Sequence, residues 1–233
     1  MNKVAVSVAA AALSALVSVP AVKAAEASVG LDVKSAYVFR GVTLNENVVA
    51  QPYLEVSGLP IDLGVWANFD VESDDARGYT DSQFSEVDIY GSYSLPIEAV
   101  DASIGYTEYT YPNGDLEADR EVSLSVGLDV PLAPSVGVYY GLDGGIEENI
   151  YAQLGIGHDI ELSEAIGLSL GGVVGYLNPD SGEDGFSHYE LSASVSYDFL
   201  SVGVAYIDQI DDDVLGDAYD TEVVGSVSAS YDF

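Results

Sequence analysis

The residues best placed to do chemistry in this sequence are carboxylates. Asp32, Glu55, Asp62, Asp70, Glu86, Asp88, Asp101, Glu121, Asp129, Asp143, Asp159, Glu190, Asp198, Glu222 and Asp232 all fall at the polar positions of runs in which polar and apolar residues alternate. Lys34 and Arg40 are the only clear bases at such positions. A period of two places the polar members of a strand on one face. On the inner face of a closed sheet these acids would line a lumen, and a ring of carboxylates in a pore admits cations and repels anions. Asp32, Glu55, Asp62, Asp88, Asp101, Asp129, Asp159, Asp198 and Asp232 fall near the same end of their strands, which predicts an acidic collar at one mouth. The alternative is that they are solvated acids beside turns. Arg40, surrounded by acids, is expected to form an ion pair with a carboxylate of a neighbouring strand, for which its planar fork of donors is suited.

Other chemistry is thinly represented. His158 and His188 are the two histidines. His188 adjoins Ser187 and lies two residues from Glu190, but a hydrolase needs a nucleophile, a base and an orienting group that converge in space. Nothing beyond this group points to one, so neither an enzyme nor a cofactor is expected. The acidic stretches 180–185 and 208–217 offer the hard oxygens that Ca²⁺ prefers, without EF-hand spacing, and are expected to be solvated loops. No nucleic-acid partner is expected of a chain with 39 acidic and 6 basic residues and a net charge of −33. That charge also fits a saline habitat.

The elements that must position these acids follow from where the apolar residues sit. Of the 233 residues, 48% are hydrophobic, so charge and oil must be separated in space. Residues 1–24 read as a signal peptide: Lys3, an apolar run, Pro20, then small residues at the cleavage site. Residues 25–233 contain no second long apolar run and must meet a membrane, if at all, as strands. Strands are expected over 27–42, 49–57, 61–71, 85–95, 100–111, 121–130, 136–142, 150–162, 166–177, 188–199, 202–210 and 222–233, mostly near the roughly 9–11 residues that cross a bilayer. Connections alternate between tight turns and longer acidic loops, as in outer-membrane barrels. The apolar face is aliphatic in mid-strand. Its ends are aromatic, with Phe39, Tyr106, Tyr176 and Tyr206 towards the loops and Tyr93, Tyr197, Phe199, Tyr231 and Phe233 towards the turns, where a ring with a wet tip suits a lipid interface. The last strand alternates cleanly up to Phe233, and a lipid-embedded barrel needs it to pair with the first strand.

A soluble sandwich with its oily face inward shares the same alternation. The polar face argues against it, being rich in Ser and Gly, which would leave a narrow lumen open. The expected fold is all-β: a transmembrane, antiparallel, up-and-down barrel of about twelve strands in the outer membrane, with lipid as its first partner.

The segment Ser35-Ala-Tyr-Val-Phe-Arg-Gly-Val-Thr43 resembles the opening strand of the TorF family of porin-like proteins, as do Gln51-Pro52 and Gly64-Val-Trp-Ala-Asn-Phe-Asp70. The resemblance implies an outer-membrane barrel with a pore function. Resemblance to bacterial outer-membrane barrels also implies that the strand ending in Phe233 is what the barrel-assembly machinery recognises. The expected function is passive diffusion of small hydrophilic solutes or cations through an acidic lumen. The alternative is a non-conducting structural or surface-binding barrel whose lumen is filled by its own side chains.

Overall fold

The computed structural model describes residues 25–72, 82–114, 116–216 and 221–233; the signal peptide expected over 1–24 lies outside the described residues. The strands are β1 (Glu26–Lys34), β2 (Tyr37–Phe39), β3 (Val42–Asn45), β4 (Val49–Ser57), β5 (Asp62–Asp70), β6 (Gln83–Ser94), β7 (Asp101–Thr110), β8 (Asp119–Gly127), β9 (Ser135–Asp143), β10 (Ile150–Glu161), β11 (Ile166–Asn178), β12 (Gly185–Tyr197), β13 (Leu200–Gln209) and β14 (Glu222–Asp232). β1 and β4–β14 form one closed antiparallel barrel of 12 strands, while β2 and β3 pair only with each other. Closure comes from β1, which pairs with β14 through Val29↔Tyr231 and Val33↔Val227 and with β4 through Leu31↔Pro52 and Lys34↔Val49. The backbone N–H of Phe233 donates to the carbonyl of Ala27 at 2.8 Å and seals the seam at the turn-side rim. A closed sheet leaves no unpaired edge, the condition for a strand-built structure to sit in hydrocarbon.

The two faces separate as the alternation requires. Leu31, Leu54, Leu63, Ile89, Ile104, Leu124, Leu154, Leu191 and Val202 are exposed on the outer surface. A continuous apolar belt of this kind is costly in water and is what a bilayer accommodates. Tyr197, Phe199, Tyr231 and Phe233 are exposed at the turn end, and Tyr106, Phe186 and Tyr206 towards the loops. Ser103, Ser125, Ser169 and Ser228 are buried on the inner face.

One expected strand does not form as written. The run 27–42 is too long for a single crossing, and the wall strand stops at Lys34. Ser35 stays on the wall for one more residue, its N–H donating to the Gly225 carbonyl at 3.0 Å and its Oγ accepting from the Gly225 N–H at 2.9 Å. The chain then leaves the wall and folds back as the β2–β3 hairpin, with Phe39 opposite Val42. Its two turn residues, Arg40 and Gly41, have φ of 52° and 84°. Positive φ at both positions is the signature of the type I′ turn that matches strand twist. Gly41 takes this conformation freely, whereas Arg40 needs outside contacts to hold it there. Phe39, expected in the outer aromatic girdle, is therefore on the hairpin instead.

Candidate pore and the hairpin that crosses it

The hairpin is seated on a small apolar patch within an otherwise polar lumen. Ala36 is buried against Ile207 of β13 and Val224 of β14, with Val38 and Ala205 packed alongside. From this seat it crosses the barrel. Tyr37 packs on Trp66 of β5 with ring centroids 5.5 Å apart, and Phe39 meets Tyr109 of β7 edge-on at 5.8 Å. Gly41 lies against His188 of β12, the neighbour of β13, so closely that a Cβ would stand 2.5 Å from the imidazole.

The polar contacts of the hairpin follow one rule: it supplies donors, and the wall supplies carboxylates. The Tyr37 hydroxyl donates to Glu86 of β6 at 2.9 Å. Arg40 donates to both oxygens of Glu121 of β8, at 3.0 and 2.8 Å. The Thr43 hydroxyl donates to Glu222 of β14 at 3.2 Å and the Asn45 amide to Asp70 of β5 at 2.9 Å. Hydrogen bonds to charged groups contribute roughly 1.5–3 kcal/mol each, and a two-pronged Arg–carboxylate pair adds orientation. The Arg40 guanidinium also sits 4.7 Å from the Phe39 ring, 4.4 Å from Tyr139 and 4.5 Å from Tyr151. These contacts hold the turn at its positive φ. The ion pair expected for Arg40 exists, but across the lumen, because Arg40 is at the hairpin tip and not on the wall.

The wall itself is uneven. On the β4–β7 side, large rings lie flat: a Cβ on Gly30 would stand 2.2 Å from the Tyr53 ring, and one on Gly64 would stand 2.2 Å from the Tyr90 ring. Glycine on one strand thus makes a bed for the tyrosine of the next. Tyr90 reaches Glu55 through its hydroxyl at 2.6 Å. On the β8–β14 side Tyr139, Tyr151 and His188 pack around the hairpin tip, the inner residues nearer the turns are mostly small, and a cavity of about 440 Å³ opens under Ala36 and Val38, bounded by Ser125, Gln153, Ser169 and Glu190.

The acids fall into two groups. Asp32, Asp70, Glu86, Asp88, Glu121 and Glu190 are buried on the inner face, as is Lys34. Glu55, Asp62, Asp101 and Glu222 are half-buried, and Asp129, Asp159, Asp198 and Asp232 are exposed. The collar expected at the turn side therefore loses Asp32 and Asp88. Asp32 sits against Gln51 and Ser228, and Asp88 against Trp66 and Tyr109, both well inside the barrel. Glu55, Asp62, Asp101, Asp159 and Asp232 stand at or near the turn-side ends of their strands. Asp129 and Asp198 lie in the turns themselves, since β8 ends at Gly127 and β12 at Tyr197. Asp143 also departs from expectation. A bulge at Arg120/Glu121 sets it opposite Arg120, and the two pair at 2.5 Å on the exposed loop-side rim.

Ser187 Oγ lies 3.1 Å from His188 Nδ1. Ser187 is fully buried, and the His188 ring is stacked on Tyr151 at 6.2 Å, an arrangement suited to packing the hairpin tip. In the acidic loops, Asp184 accepts the Tyr176 hydroxyl and the Asp180 N–H donates to Asn149 at 2.7 Å. Among the described residues no group of three His, Cys, Asp or Glu is placed to hold a metal ion. Sequence inspection missed Tyr37, Gly41, Thr43 and Asn45 as lumen residues. The available signal was Gly41 inside a strand pattern too long to be one crossing.

Solved structures share the architecture. A membrane protein studied for in-meso crystallization superposes with a TM-score of 0.53 at 12% identity, over 89% of this chain and 84% of the other. An outer membrane channel of Pseudomonas putida F1 superposes with a TM-score of 0.51 at 12% identity, over 94% of this chain and 98% of the other. At such identity the likeness speaks to the fold, that of an outer-membrane β-barrel. No curated protein shows significant similarity to the sequence. A family model does match, over residues 20–231, under a description that does not carry the TorF name. The chain belongs to the family described as bacterial protein of unknown function (Gcw_chp).

Proposed function

We propose that this barrel is a porin-like channel for passive diffusion of small hydrophilic solutes, with a preference for cations. The observation that carries the proposal is the charge balance of the inner face. Its carboxylates far outnumber its bases, and Arg40 is already neutralised by Glu121. Fixed negative charge in a narrow, low-dielectric bore concentrates cations. Glu55, Asp62, Asp101, Asp159 and Asp232 act first, at the turn-side mouth, and Glu190 acts deeper in. Refolded protein in a planar bilayer under a KCl gradient should give a reversal potential of the sign set by K⁺. A potential near zero, or one set by Cl⁻, removes the filter.

The hairpin favours a second reading, a barrel closed by its own chain. Single-channel conductance separates the two: no discrete steps in KCl would mean that the crossing is a plug and not a constriction.

Insertion is proposed to rest on the C-terminal strand, recognised by the barrel-assembly machinery through its alternating apolar residues and Phe233, which is 72% exposed and free for a partner to grip. Deleting Phe233 should lower the yield of heat-modifiable barrel in outer-membrane fractions several-fold. An unchanged yield would place the signal elsewhere.

A further inference from the structure

The cavity under the hairpin has charged walls of both signs. Lys34 is 9% exposed and Glu190 7% exposed, and both face it. Neither side chain is held in a hydrogen bond or a close ion pair among the described residues. Each senses the other's charge, and Lys34 also senses Asp32, two residues before it on β1. A buried charge without a close partner is costly. Two such charges of opposite sign bordering one cavity are paired most simply by a guest carrying both complements. The remaining lining, including Ser125, Gln153 and Ser169, offers neutral hydroxyl and amide groups. At about 440 Å³, the space lies within the roughly 300–1,000 Å³ usual for small-molecule sites.

We propose that this cavity is a binding site for small zwitterions of the amino-acid type, the guest's carboxylate meeting the Lys34 ammonium and its ammonium meeting Glu190. A simple cation answers Glu190 and leaves Lys34 without a carboxylate, and a simple anion answers Lys34 and leaves Glu190 without an ammonium; only a zwitterion answers both. The site gives the channel a preferred cargo, and so as a route for cargo it rests on the channel reading above. As a binding site it does not.

The experiment is calorimetric titration of the refolded barrel in detergent with L-alanine, L-alaninamide and N-acetyl-L-alanine. L-Alanine should bind saturably, and each blocked analogue about tenfold or more weakly, the cost of losing one charge-assisted contact. In Lys34→Met, alanine and alaninamide should become equivalent. In Glu190→Gln, alanine and N-acetylalanine should become equivalent. Lys34→Arg should keep the wild-type order, which guards against a folding artefact, as does heat-modifiable migration of each variant. Equal binding of all three compounds, preference for a blocked one, or no saturable binding of alanine overturns the site. Conductance on the same preparation keeps the two proposals apart. Channels without discrimination among the ligands sink the site alone, whereas discrimination without channels sinks the diffusion reading and leaves a binding barrel.

Discussion

Replacing residues 36–47 with a short Gly-Ser linker should raise the single-channel conductance several-fold and strengthen the preference for cations. The barrel should survive the excision. Lys34 and Val49 are cross-strand partners, and antiparallel partners have Cα atoms only about 4.5–5.5 Å apart, so a few residues span the gap. All pairings that close the sheet lie outside the excised stretch. What disappears is everything that crosses the lumen: Tyr37 against Trp66, Phe39 against Tyr109, and Arg40 against Glu121. Glu86, Glu121, Glu222 and Asp70 lose their hairpin donors and are left facing water, which adds negative charge to the bore. A milder change, Glu121→Ala, should loosen the tip without removing it. Breaking a desolvated pair costs about 3–5 kcal/mol, and Arg40 would lose the anchor that helps hold its positive φ. The expected record is a flickering current between the native level and that of the excised barrel. Identical steady conductance in all three proteins would show that the hairpin does not limit passage.

This hairpin is also where sequence and structure part company. Barrel strands were legible because each shows its own period of two. Leu63, Val65 and Phe69 alternate with Asp62, Gly64 and Asn68, and nothing beyond local order is needed to assign their faces. The hairpin carries the same period, since Ala36 and Val38 alternate with Tyr37 and Phe39, so alternation alone continued the wall strand through it. What takes the chain off the wall is tertiary. An apolar seat made by Ile207 and Val224 sits about 170–190 positions further along, and four carboxylates on four different strands wait for donors. Alternation gives each of those acids an inward face, but a partner arriving from within the lumen leaves no mark in a strand's own pattern. The same holds for the split of the acids into buried and rim groups. Asp88 and Asp62 look alike in sequence, and only the register against Tyr109 and Ser92 separates their depths. The segment that resembles a TorF opening strand is thus mostly the hairpin, with Arg40-Gly41 as its turn.

Leu124→Arg should destabilise the barrel by ~2–4 kcal/mol in equilibrium urea unfolding from phospholipid vesicles, while Ser125→Arg should cost little. Leu124 is on β8 between Ile104 and Val138, in mid-strand, and is 45% exposed on the outer surface. A guanidinium there faces hydrocarbon too far from either interface to reach water easily. Ser125, the next residue, borders the cavity of about 440 Å³, where the same guanidinium finds polar company and acids of opposite charge. The comparison is sharp because the two sites share a strand, a depth and a substitution, and differ only in which way the side chain points. With water and not lipid around the barrel, an arginine at Leu124 would be solvated on the outer surface and would cost no more than one at Ser125. A reversed or equal pair of costs would therefore mean that no hydrocarbon bathes the outer face, and the bore, its carboxylates and the hairpin across it would have no membrane to cross.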